Sequence, residues 1–373
     1  MNKDNQAGRI LIMAGGTGGH VFPALAIARE FLSRGFAVFW LGTKQGIEAT
    51  VVPNEGGIDI CYLEISGVRG QGLKRLVSAP VKITKAILQA MKFIKTSNPD
   101  FVLGMGGFVT GPGGIAAKLS GKPLLVHEQN AIPGFTNKIL SLMADRVLEA
   151  FPDSFKANMF RAKNKVVTVG NPVRRDICNL AEPEQRFSTR SGPLKLLILG
   201  GSQGAVALNE LIPETLALIE DKPLVWHQVG KKNLENAYAC YKTAGLDIDG
   251  IKNKVVAFID DMAQAYAWAD LVICRSGALT VSEIQQVGIG ALLIPFPYAV
   301  DDHQTRNAEF LGSVGGAVIA QQKDLTANKL KEIYAKLSSR DVLLKMAKAS
   351  KSSAINNATN QVVAQCLEVC CVK

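Results

Sequence analysis

The sequence has few residues of the kinds that build metal centres, disulfide frameworks or membrane spans. Its 373 residues include seven cysteines, an odd number with no CxxC pair and no neighbouring histidine, so neither a zinc site nor a disulfide framework is indicated. Only 6% of the residues are aromatic. Two uncharged stretches, 101–117 and 284–300, are interrupted by glycine, proline or glutamine below the length of a membrane span, and the apolar run at the N-terminus meets glycine too early for a signal peptide. We therefore expect a protein of a reducing compartment that contacts membranes only peripherally.

The composition that remains is sufficient for two folded domains. Apolar residues make up 47% of the chain and charged residues 20%, which excludes intrinsic disorder as the overall state. The 35 glycines show no collagen period and are expected in tight turns, where a ligand can approach the backbone. A net charge of +10 favours anionic partners and leaves nucleic acid, nucleotides and acidic membrane surfaces open.

Short apolar runs that are typical of buried strands alternate with helical patterns in both halves of the chain. Seven such runs precede a polar stretch at residues 171–191, and six follow it. This alternation predicts an α/β fold with a parallel sheet in each half. We place the domains at 1–173 and 174–355, and we expect the C-terminal helix at 356–373 to pack back on the first domain.

Each half opens with a strand that runs into a glycine-rich loop, at 15–19 and at 200–204. Since ligands of open α/β sheets bind beyond the carboxyl ends of the strands, we expect both loops to face one cleft. The first loop precedes Pro23, a residue that favours a helix start, and its amides would attract a diphosphate or another anion. A dinucleotide-binding loop is not indicated, because Val21 stands where the third glycine is required and no acid ends the second strand. A Walker A motif is not indicated either, because no lysine closes the loop. The alternative interpretation of these glycines is tight packing between strand and helix.

Further clusters of glycine or polar residues follow other predicted strands. In the segment 275–283, the amides of a helix start and the Thr280 hydroxyl could hold phosphate oxygens, and Glu283 could accept ribose hydroxyls. A capping box between Thr280 and Glu283 is the alternative. The remaining clusters span residues 104–114, 127–130 and 301–307.

Three of the four histidines, His20, His127 and His303, lie at such strand ends. His227 lies inside a strand pattern and is predicted to be structural.

Positive charge is concentrated between residues 65 and 99, which contain seven basic residues and no acidic one. On a helix, Ile83, Ile87, Ala90 and Ile94 form a stripe that faces the core, with lysines on another side. Basic residues beside exposed apolar ones suit an anionic lipid surface, although a solvated helix face is the alternative. Nucleic acid is not indicated, since no recognised motif accompanies the charge. The predicted membrane surface comprises Lys74, Arg75, Lys82, Lys85, Leu88, Lys92 and Phe93.

Eight blocks between residues 15 and 308, taken in order, resemble the MurG family of bacterial N-acetylglucosaminyltransferases, which complete the lipid-linked peptidoglycan precursor. The blocks are GGTGGHVFPALAIA, GMGGFVTGPGG, HEQNAIPGFTNK, GNPVR, GGSQGA, FIDDM, RSGALTVSE and DDHQTRNA. The resemblance implies a GT-B architecture, in which two Rossmann-like domains face each other across a cleft. The first domain would bind the lipid-linked muramyl-pentapeptide acceptor, and the second would bind UDP-GlcNAc. It further implies a peripheral enzyme on the cytoplasmic face of the inner membrane, with partners among the cell-wall synthesis proteins.

Matching motifs carry the family's site residues onto this chain. The resemblance implies that the backbone of Ile259 contacts uracil, that Glu283 binds the ribose and that Gln304 binds the GlcNAc hydroxyls. Ser202 and residues 278–280 would grip the diphosphate. The full donor-side set is Thr17, Gly18, Gly19, Asn130, Arg174, Ser202, Ile259, Ala278, Leu279, Thr280, Val281, Ser282, Glu283 and Gln304.

The substrates that the resemblance supplies define the chemistry. UDP-GlcNAc is α-linked and the product is β-1,4-linked, so a single inverting displacement is expected. A general base must take the proton of the acceptor C4 hydroxyl. The candidates are His20, since a histidine usually changes charge near neutral pH, and Glu128. His20 is preferred because it shares the glycine loop that is expected to face the cleft. We expect no cofactor and no metal. The alternatives are a non-catalytic nucleotide-sugar binding protein and a UDP-GlcNAc 2-epimerase of the same fold.

Overall fold

The computed structural model describes residues 7–65, 73–155, 165–201, 204–248 and 253–371. The chain divides into two compact units, Met1–Val173 with Ile355–Lys373, and Arg174–Ala354. Each unit contains one wholly parallel sheet covered by helices. The two parallel-sheet α/β domains predicted from the sequence are therefore confirmed.

The first unit holds a seven-stranded sheet in the order β3-β2-β1-β4-β5-β6-β7. Its strands are β1 Arg9–Met13, β2 Ala37–Gly42, β3 Ile58–Tyr62, β4 Phe101–Gly104, β5 Leu124–Glu128, β6 Arg146–Glu149 and β7 Val166–Thr168, and its helices up to this point are α1 Gly18–Ser33, α2 Glu48–Asn54, α3 Leu73–Ser97, α4 Thr110–Leu119 and α5 Phe135–Met143.

Strand β1 lies inside this sheet, between β2 and β4. Ile12 is in register with Trp40 of β2 on one side and with Leu103 of β4 on the other, and all three side chains are fully buried. Because the chain order reverses at β1, the crevice beyond the carboxyl ends of β1 and β4 is where this class of sheet binds ligands.

Strand β3 begins at Ile58, since the alternating IDIC segment pairs with β2. One boundary in this unit differs from expectation. Helix α1 begins at Gly18, with Thr17 as N-cap, and Pro23 lies inside it. Proline has no N–H, so the Gly19 carbonyl one turn earlier cannot receive the usual helical hydrogen bond from residue 23.

The second unit holds a six-stranded sheet in the order β10-β9-β8-β11-β12-β13. Its strands are β8 Lys195–Leu199, β9 Leu224–Gln228, β10 Asn253–Val256, β11 Leu271–Cys274, β12 Gly290–Leu293 and β13 Ala317–Ile319, and its helices are α6 Arg175–Cys178, α7 Pro183–Ser188, α8 Val206–Leu218, α9 Leu234–Thr243, α10 Met262–Trp268, α11 Ala278–Val287, α12 His303–Ser313, α13 Ala327–Leu337 and α14 Arg340–Ser352.

The second sheet repeats the topology of the first. Strand β8 pairs with β9 on one side and with β11 on the other, so the chain order reverses between β8 and β11. Leu196, Ile198 and Ile273 are buried on the face that the larger core cluster covers. The loops that follow β8 and β11 therefore flank the ligand-binding crevice of this unit.

The last helix, α15 Ala358–Cys371, belongs to the first unit although it follows the second in the chain. Val362, Val363 and Cys366 are fully buried in the core that α1 and β4 share. Arg34 and Arg146 donate hydrogen bonds to side chains of this helix. The core of the first unit thus depends on both ends of the chain.

Candidate functional site

The loops that follow β1 and β4 are packed against each other in the first unit. A Cβ on Gly107 would overlap the backbone carbonyl of Gly15. Gly16 has a φ of +91° and Gly107 a φ of +86°, values that glycine adopts without the strain that a side chain would bring. The two glycine-rich clusters that the sequence presents separately therefore form one structure at the switch point of the first sheet.

The buried carboxylate of Glu48 accepts a hydrogen bond from the Gly16 amide of this structure. The Gly16 N–H donates to Glu48 Oε2 at 2.9 Å, and Oε1 accepts the N–H and the hydroxyl of Thr43 at 2.7 and 2.8 Å. Sequence reasoning missed Glu48, because it looked for an acid at the end of β2 and this one begins α2. Binding of the expected diphosphate at this loop is thus disfavoured, because the Gly16 amide already donates to Glu48 and because the Glu48 carboxylate would repel an anion.

His20 lies in the first turn of α1, against the loop after β4. Its Nδ1 is 3.2 Å from Thr17 Oγ1, and a Cβ on Gly106 would lie 2.5 Å from the ring Cδ2. Thr17 and Gly19 are exposed, whereas Gly18 and the His20 ring are half-buried. When Nδ1 carries the proton and donates it to Thr17, Nε2 is free of a proton and can act as a base.

Glu128, the second candidate base, organises its own loop. Its Oε1 accepts the backbone and side-chain N–H groups of Asn130 at 2.9 and 3.2 Å. Its Oε2 accepts the Gly134 N–H at 3.0 Å and the Asn137 amide at 2.9 Å. A buried carboxylate that accepts four hydrogen bonds has little capacity left for a substrate proton, so His20 is the better candidate. Asn130, which is predicted in the site, is half-buried beside Glu128.

His127 lies at the carboxyl end of β5, as expected, but its ring has a structural role. The ring is fully buried, with Nε2 3.0 Å from the Gly170 carbonyl and Nδ1 3.1 Å from the amide of Gln129. A neutral ring that donates from Nε2 and accepts at Nδ1 satisfies both contacts. Burial lowers the pKa of His127 to about 4 and that of His227, in β9, to about 3.

Helix α11 begins directly after β11, at the switch point of the second sheet. Gly277 is its N-cap, in extended conformation and without a side-chain hydrogen bond to the first turn. The amides of residues 278–280 have no acceptor within the helix, and the helix dipole adds positive potential at this end. Among the predicted residues here, Leu279 and Thr280 are half-buried, and Ala278, Val281 and Ser282 are buried. This turn has the features of an anion site.

Glu283 lies further along α11 and accepts a hydrogen bond from the Tyr266 hydroxyl at 2.9 Å. The capping-box alternative is wrong, because Gly277 rather than Thr280 caps the helix. Burial raises the pKa of Glu283 to about 7, while the Tyr266 hydroxyl and the charge of Arg174 act in the opposite direction. Arg174 is therefore within electrostatic reach of Glu283, as its assignment to the same site requires.

Gln228, at the end of β9, links two loops of the predicted donor site. Its Nε2 donates to the Gly201 carbonyl at 3.1 Å, and its Oε1 accepts the Ile259 N–H at 3.0 Å. Ser202, predicted to grip the diphosphate, lies outside the described residues. Sequence reasoning missed Gln228, because its role appears only when both loops are in place.

The first turn of α12 brings Gln304 to the loop after β11. The Ser276 hydroxyl donates to the Gln304 carbonyl at 2.8 Å, and Asn307 Nδ2 donates to the Ser276 carbonyl at 3.1 Å. The Gln304 side-chain oxygen accepts the Phe296 N–H at 2.9 Å. Gln304 and the first turn of α11 thus lie at the same edge of the second sheet.

Exposed aromatic side chains, which the sequence analysis did not single out, stand beside these loops. Phe258 precedes Ile259, and Tyr298 is 82% exposed. The Tyr298 and Phe296 rings are 5.6 Å apart in edge-to-face contact, and the Arg275 guanidinium lies 5.6 Å from the Phe296 ring centre. Such flat apolar groups suit contact with a base or a sugar ring.

No group of three or more metal-ligating side chains that could hold an ion occurs within the described residues.

The predicted membrane surface on α3 is only partly as expected. Lys82, Lys85 and Lys92 are exposed and Leu88 is 62% exposed. Lys85 forms an ion pair of 2.7 Å with Glu64, in a part of the chain adjacent to the basic segment. Three exposed lysines with an exposed leucine match the predicted pattern.

Phe93 corrects this prediction. Its ring packs edge-on against Phe39, with 6.1 Å between centroids, and it borders the core. The side chains of Lys74 and Arg75 lie outside the described residues. In the described part of the chain, no helix is long and apolar enough to cross a bilayer.

Comparison with known families identifies the two units. The description "Glycosyltransferase family 28 N-terminal domain" matches residues 10–149, and "Glycosyltransferase family 28 C-terminal domain" matches residues 195–362. The chain belongs to glycosyltransferase family 28. The family 28 matches and the two parallel-sheet domains agree with the GT-B fold.

Curated relatives of this family 28 protein match it over nearly its full length. Proteins of Photobacterium profundum, 49% identical with 97% of each chain covered, and of Marinobacter nauticus, 50% identical with 98% of each covered, are both named UDP-N-acetylglucosamine--N-acetylmuramyl-(pentapeptide) pyrophosphoryl-undecaprenol N-acetylglucosamine transferase. The crystal structure of Acinetobacter baumannii MurG is 42% identical, with a TM-score of 0.80 over 96% of this chain and 99% of that one.

Proposed function

We propose that this protein transfers GlcNAc from UDP-GlcNAc to the C4 hydroxyl of undecaprenyl-pyrophosphoryl-MurNAc-pentapeptide, with inversion at the anomeric carbon. The observation that carries this proposal is the identity of about half the residues, over 97% of both chains, with transferases named for this reaction. A 2-epimerase or a non-catalytic sensor would need no such agreement through both domains. The reaction would serve peptidoglycan synthesis.

The donor site is proposed in the second unit. The free amides of residues 278–280 receive the diphosphate, and the Glu283 carboxylate accepts ribose hydroxyls. Gln304 binds GlcNAc hydroxyls from the same edge of the sheet. Because the Ile259 N–H already donates to Gln228, the Ile259 carbonyl is the backbone group available to uracil.

We assign activation of the acceptor to the first unit, where Thr17, Gly18 and Gly19 directly precede His20 in the chain and Asn130 follows β5. His20 Nε2 takes the proton of the C4 hydroxyl while the oxygen forms its bond to the GlcNAc anomeric carbon. The bond from that carbon to the β-phosphate oxygen breaks, and its electron pair leaves with UDP. Charge that develops on UDP is stabilised by the α11 amides, which are oriented before the reaction. In the tautomer that acts as the base, Nδ1 carries the proton and donates a hydrogen bond to Thr17 Oγ1, and Nε2 is unprotonated.

A UDP-release assay with and without the lipid-linked acceptor tests this function. We expect UDP only when acceptor is present, with a β-1,4-linked product. UDP release without acceptor, formation of UDP-ManNAc, or UDP binding without turnover would each contradict the proposal. His20→Ala should lower turnover and spare UDP binding, whereas Glu283→Ala should weaken UDP binding.

We further propose that the first unit docks on the cytoplasmic face of the membrane. The exposed lysines of α3 and Leu88 support this, and α5 adds a second apolar strip: Phe135, Ile139 and Leu142 are exposed at spacings that share one helix face. Helix α4 packs against both α3 and α5, so the two strips lie on the helices that flank α4. Each lysine near an anionic surface contributes about 1 kcal/mol.

Vesicle sedimentation tests the docking surface. Exchange of Lys82, Lys85 and Lys92 for glutamate should reduce binding to anionic vesicles at least tenfold. The same exchange at three exposed lysines of α13 and α14, 331, 336 and 345, changes the net charge equally and is the matched control. Equal loss in both triple variants would reject a local surface.

A further inference from the structure

One fully buried carboxylate, that of Glu48, has no part in the reaction described above. It lies at the start of α2, beneath the loop that ends at Thr17, the N-cap of the helix that contains His20. Its two oxygens accept three hydrogen bonds of 2.7 to 2.9 Å, from the Gly16 N–H and from the N–H and hydroxyl of Thr43. A buried carboxylate is retained only where such bonds compensate its desolvation.

The space around this carboxylate is shaped to hold it. A Cβ on Gly15 would lie 2.6 Å from Glu48 Oε1, and one on Gly42 would lie 2.7 Å from Glu48 Cγ. A Cβ on Gly46 would overlap the carboxylate itself. Three glycines, one in the loop after β1, one at the end of β2 and one in the loop after β2, thus leave room for one glutamate side chain in one position.

A short chain of contacts leads from Glu48 to the candidate base. Glu48 holds the amide of Gly16 inward, at a φ of +91°. The next residue, Thr17, caps α1, and its hydroxyl lies 3.2 Å from His20 Nδ1. The orientation of the His20 ring therefore depends on the backbone that Glu48 fixes.

We propose that Glu48 is a positioning residue for the transfer reaction. Its carboxylate fixes the loop after β1 so that Thr17 and His20 are presented to the acceptor hydroxyl. It also removes the Gly16 amide from anion binding and leaves recognition of the UDP diphosphate to the second unit. This inference rests on the proposed role of His20 as general base.

Glu48→Gln tests the proposal, because it keeps the shape of the side chain but replaces one oxygen by an NH₂ group. This group cannot accept a hydrogen bond and faces an N–H donor of the loop. A loop displaced by about 1 Å costs on the order of 100-fold in rate. We expect kcat to fall 10- to 100-fold, with KM for UDP-GlcNAc and Kd for UDP within twofold of wild type. Glu30→Gln is the matched control, since Glu30 is a buried acid of α1 that pairs with Arg34. It should leave kcat unchanged.

A double-variant cycle separates positioning from a merely structural role. If Glu48 acts through His20, Glu48→Gln should cost less than twofold further in the His20→Ala background. The proposal would be overturned if the fold-losses of kcat in the two single variants multiplied in the double variant, or if kcat were unchanged in Glu48→Gln alone. The proposed function would stand in both cases. Absence of acceptor-dependent UDP release from the wild type would instead refute the function.

A readout independent of turnover is the NMR signal of the His20 ring, assigned by its loss in His20→Ala. Glu48→Gln should shift this signal, and Glu30→Gln should not. If Glu48→Gln does not fold, Thr43→Val removes one of the three bonds and should change kcat and the ring signal in the same direction. An unshifted signal in every folded variant would overturn the proposal.

Discussion

Donor binding should depend on the ionisation of Glu283, which the Tyr266 hydroxyl controls. Burial raises the pKa of Glu283 to about 7, and the ionised carboxylate is the form that accepts ribose hydroxyls. UDP affinity should therefore be full above pH 7 and weaken as the pH falls through 7. The contribution of Glu283 to the free energy of unfolding changes with pH in the opposite direction, since a raised pKa means that the folded state favours the protonated side chain. That contribution is full below the usual pKa of 4.5 and is lost as the pH rises through 7.

Tyr266→Phe removes the 2.9 Å hydrogen bond to this carboxylate. A hydrogen bond to a charged group is worth about 1.5–3 kcal/mol, which corresponds to a pKa rise of roughly 1–2 units. At pH 7.5 the ionised fraction should then fall from about three-quarters to about one-fifth or less. UDP should bind more weakly at this pH, by about fourfold or more, and recover about half or more of its affinity near pH 9.

Isothermal titration of UDP between pH 6 and 9 measures this shift. Glu283→Gln is the control, because it cannot ionise and so reports the titration of UDP alone. A loss of affinity in Tyr266→Phe that is equal at every pH would refute the reasoning, since it would mean that Tyr266 acts through packing.

Three further predictions concern the glycine loop, a buried histidine and the candidate base. Gly107→Ala should lower the melting temperature more than Gly121→Ala does: both have positive φ and bear the left-handed cost of about 1–2 kcal/mol, but only the first forces a Cβ into the Gly15 carbonyl. His227→Gln should remove part of the acid sensitivity of folding. The pKa of His227 is lowered to about 3. The contribution of the neutral ring to the free energy of unfolding is therefore present above pH 6.5 and is lost toward pH 3, at up to about 1.4 kcal/mol per pH unit. Urea unfolding at a series of pH values measures this loss. Thr17→Val should lower kcat at least tenfold without a change in UDP affinity in the titration assay, because the candidate base loses the group that orients it.

The strand pattern and the ends of the strands were predictable from the sequence. Apolar runs that end in glycine or polar clusters are local signals, and parallel sheets place their carboxyl ends at one edge. The switch-point loops, including those that precede the helices of His20 and Glu283, could therefore be located without coordinates.

The hydrogen-bond partners of the charged groups were not predictable. Glu128 and Glu48 are both acids near strand ends, yet the first organises its own loop and the second anchors another. Tyr266 pairs with Glu283 from a separate helix. Such partners depend on backbone conformation over distances that no local pattern encodes, and Phe93 was misplaced for the same reason, because its contact with Phe39 is tertiary.

The place of α15 in the first unit has a consequence for biosynthesis. Val362, Val363 and Cys366 complete a core whose other members, such as Ile12 and Phe31, leave the ribosome more than three hundred residues earlier. The domain that is translated first is therefore finished last, after the whole of Arg174–Ala354 has emerged. A nascent chain exposes an incomplete apolar surface for most of its synthesis, so premature termination near residue 355 should yield aggregation-prone fragments that need chaperones.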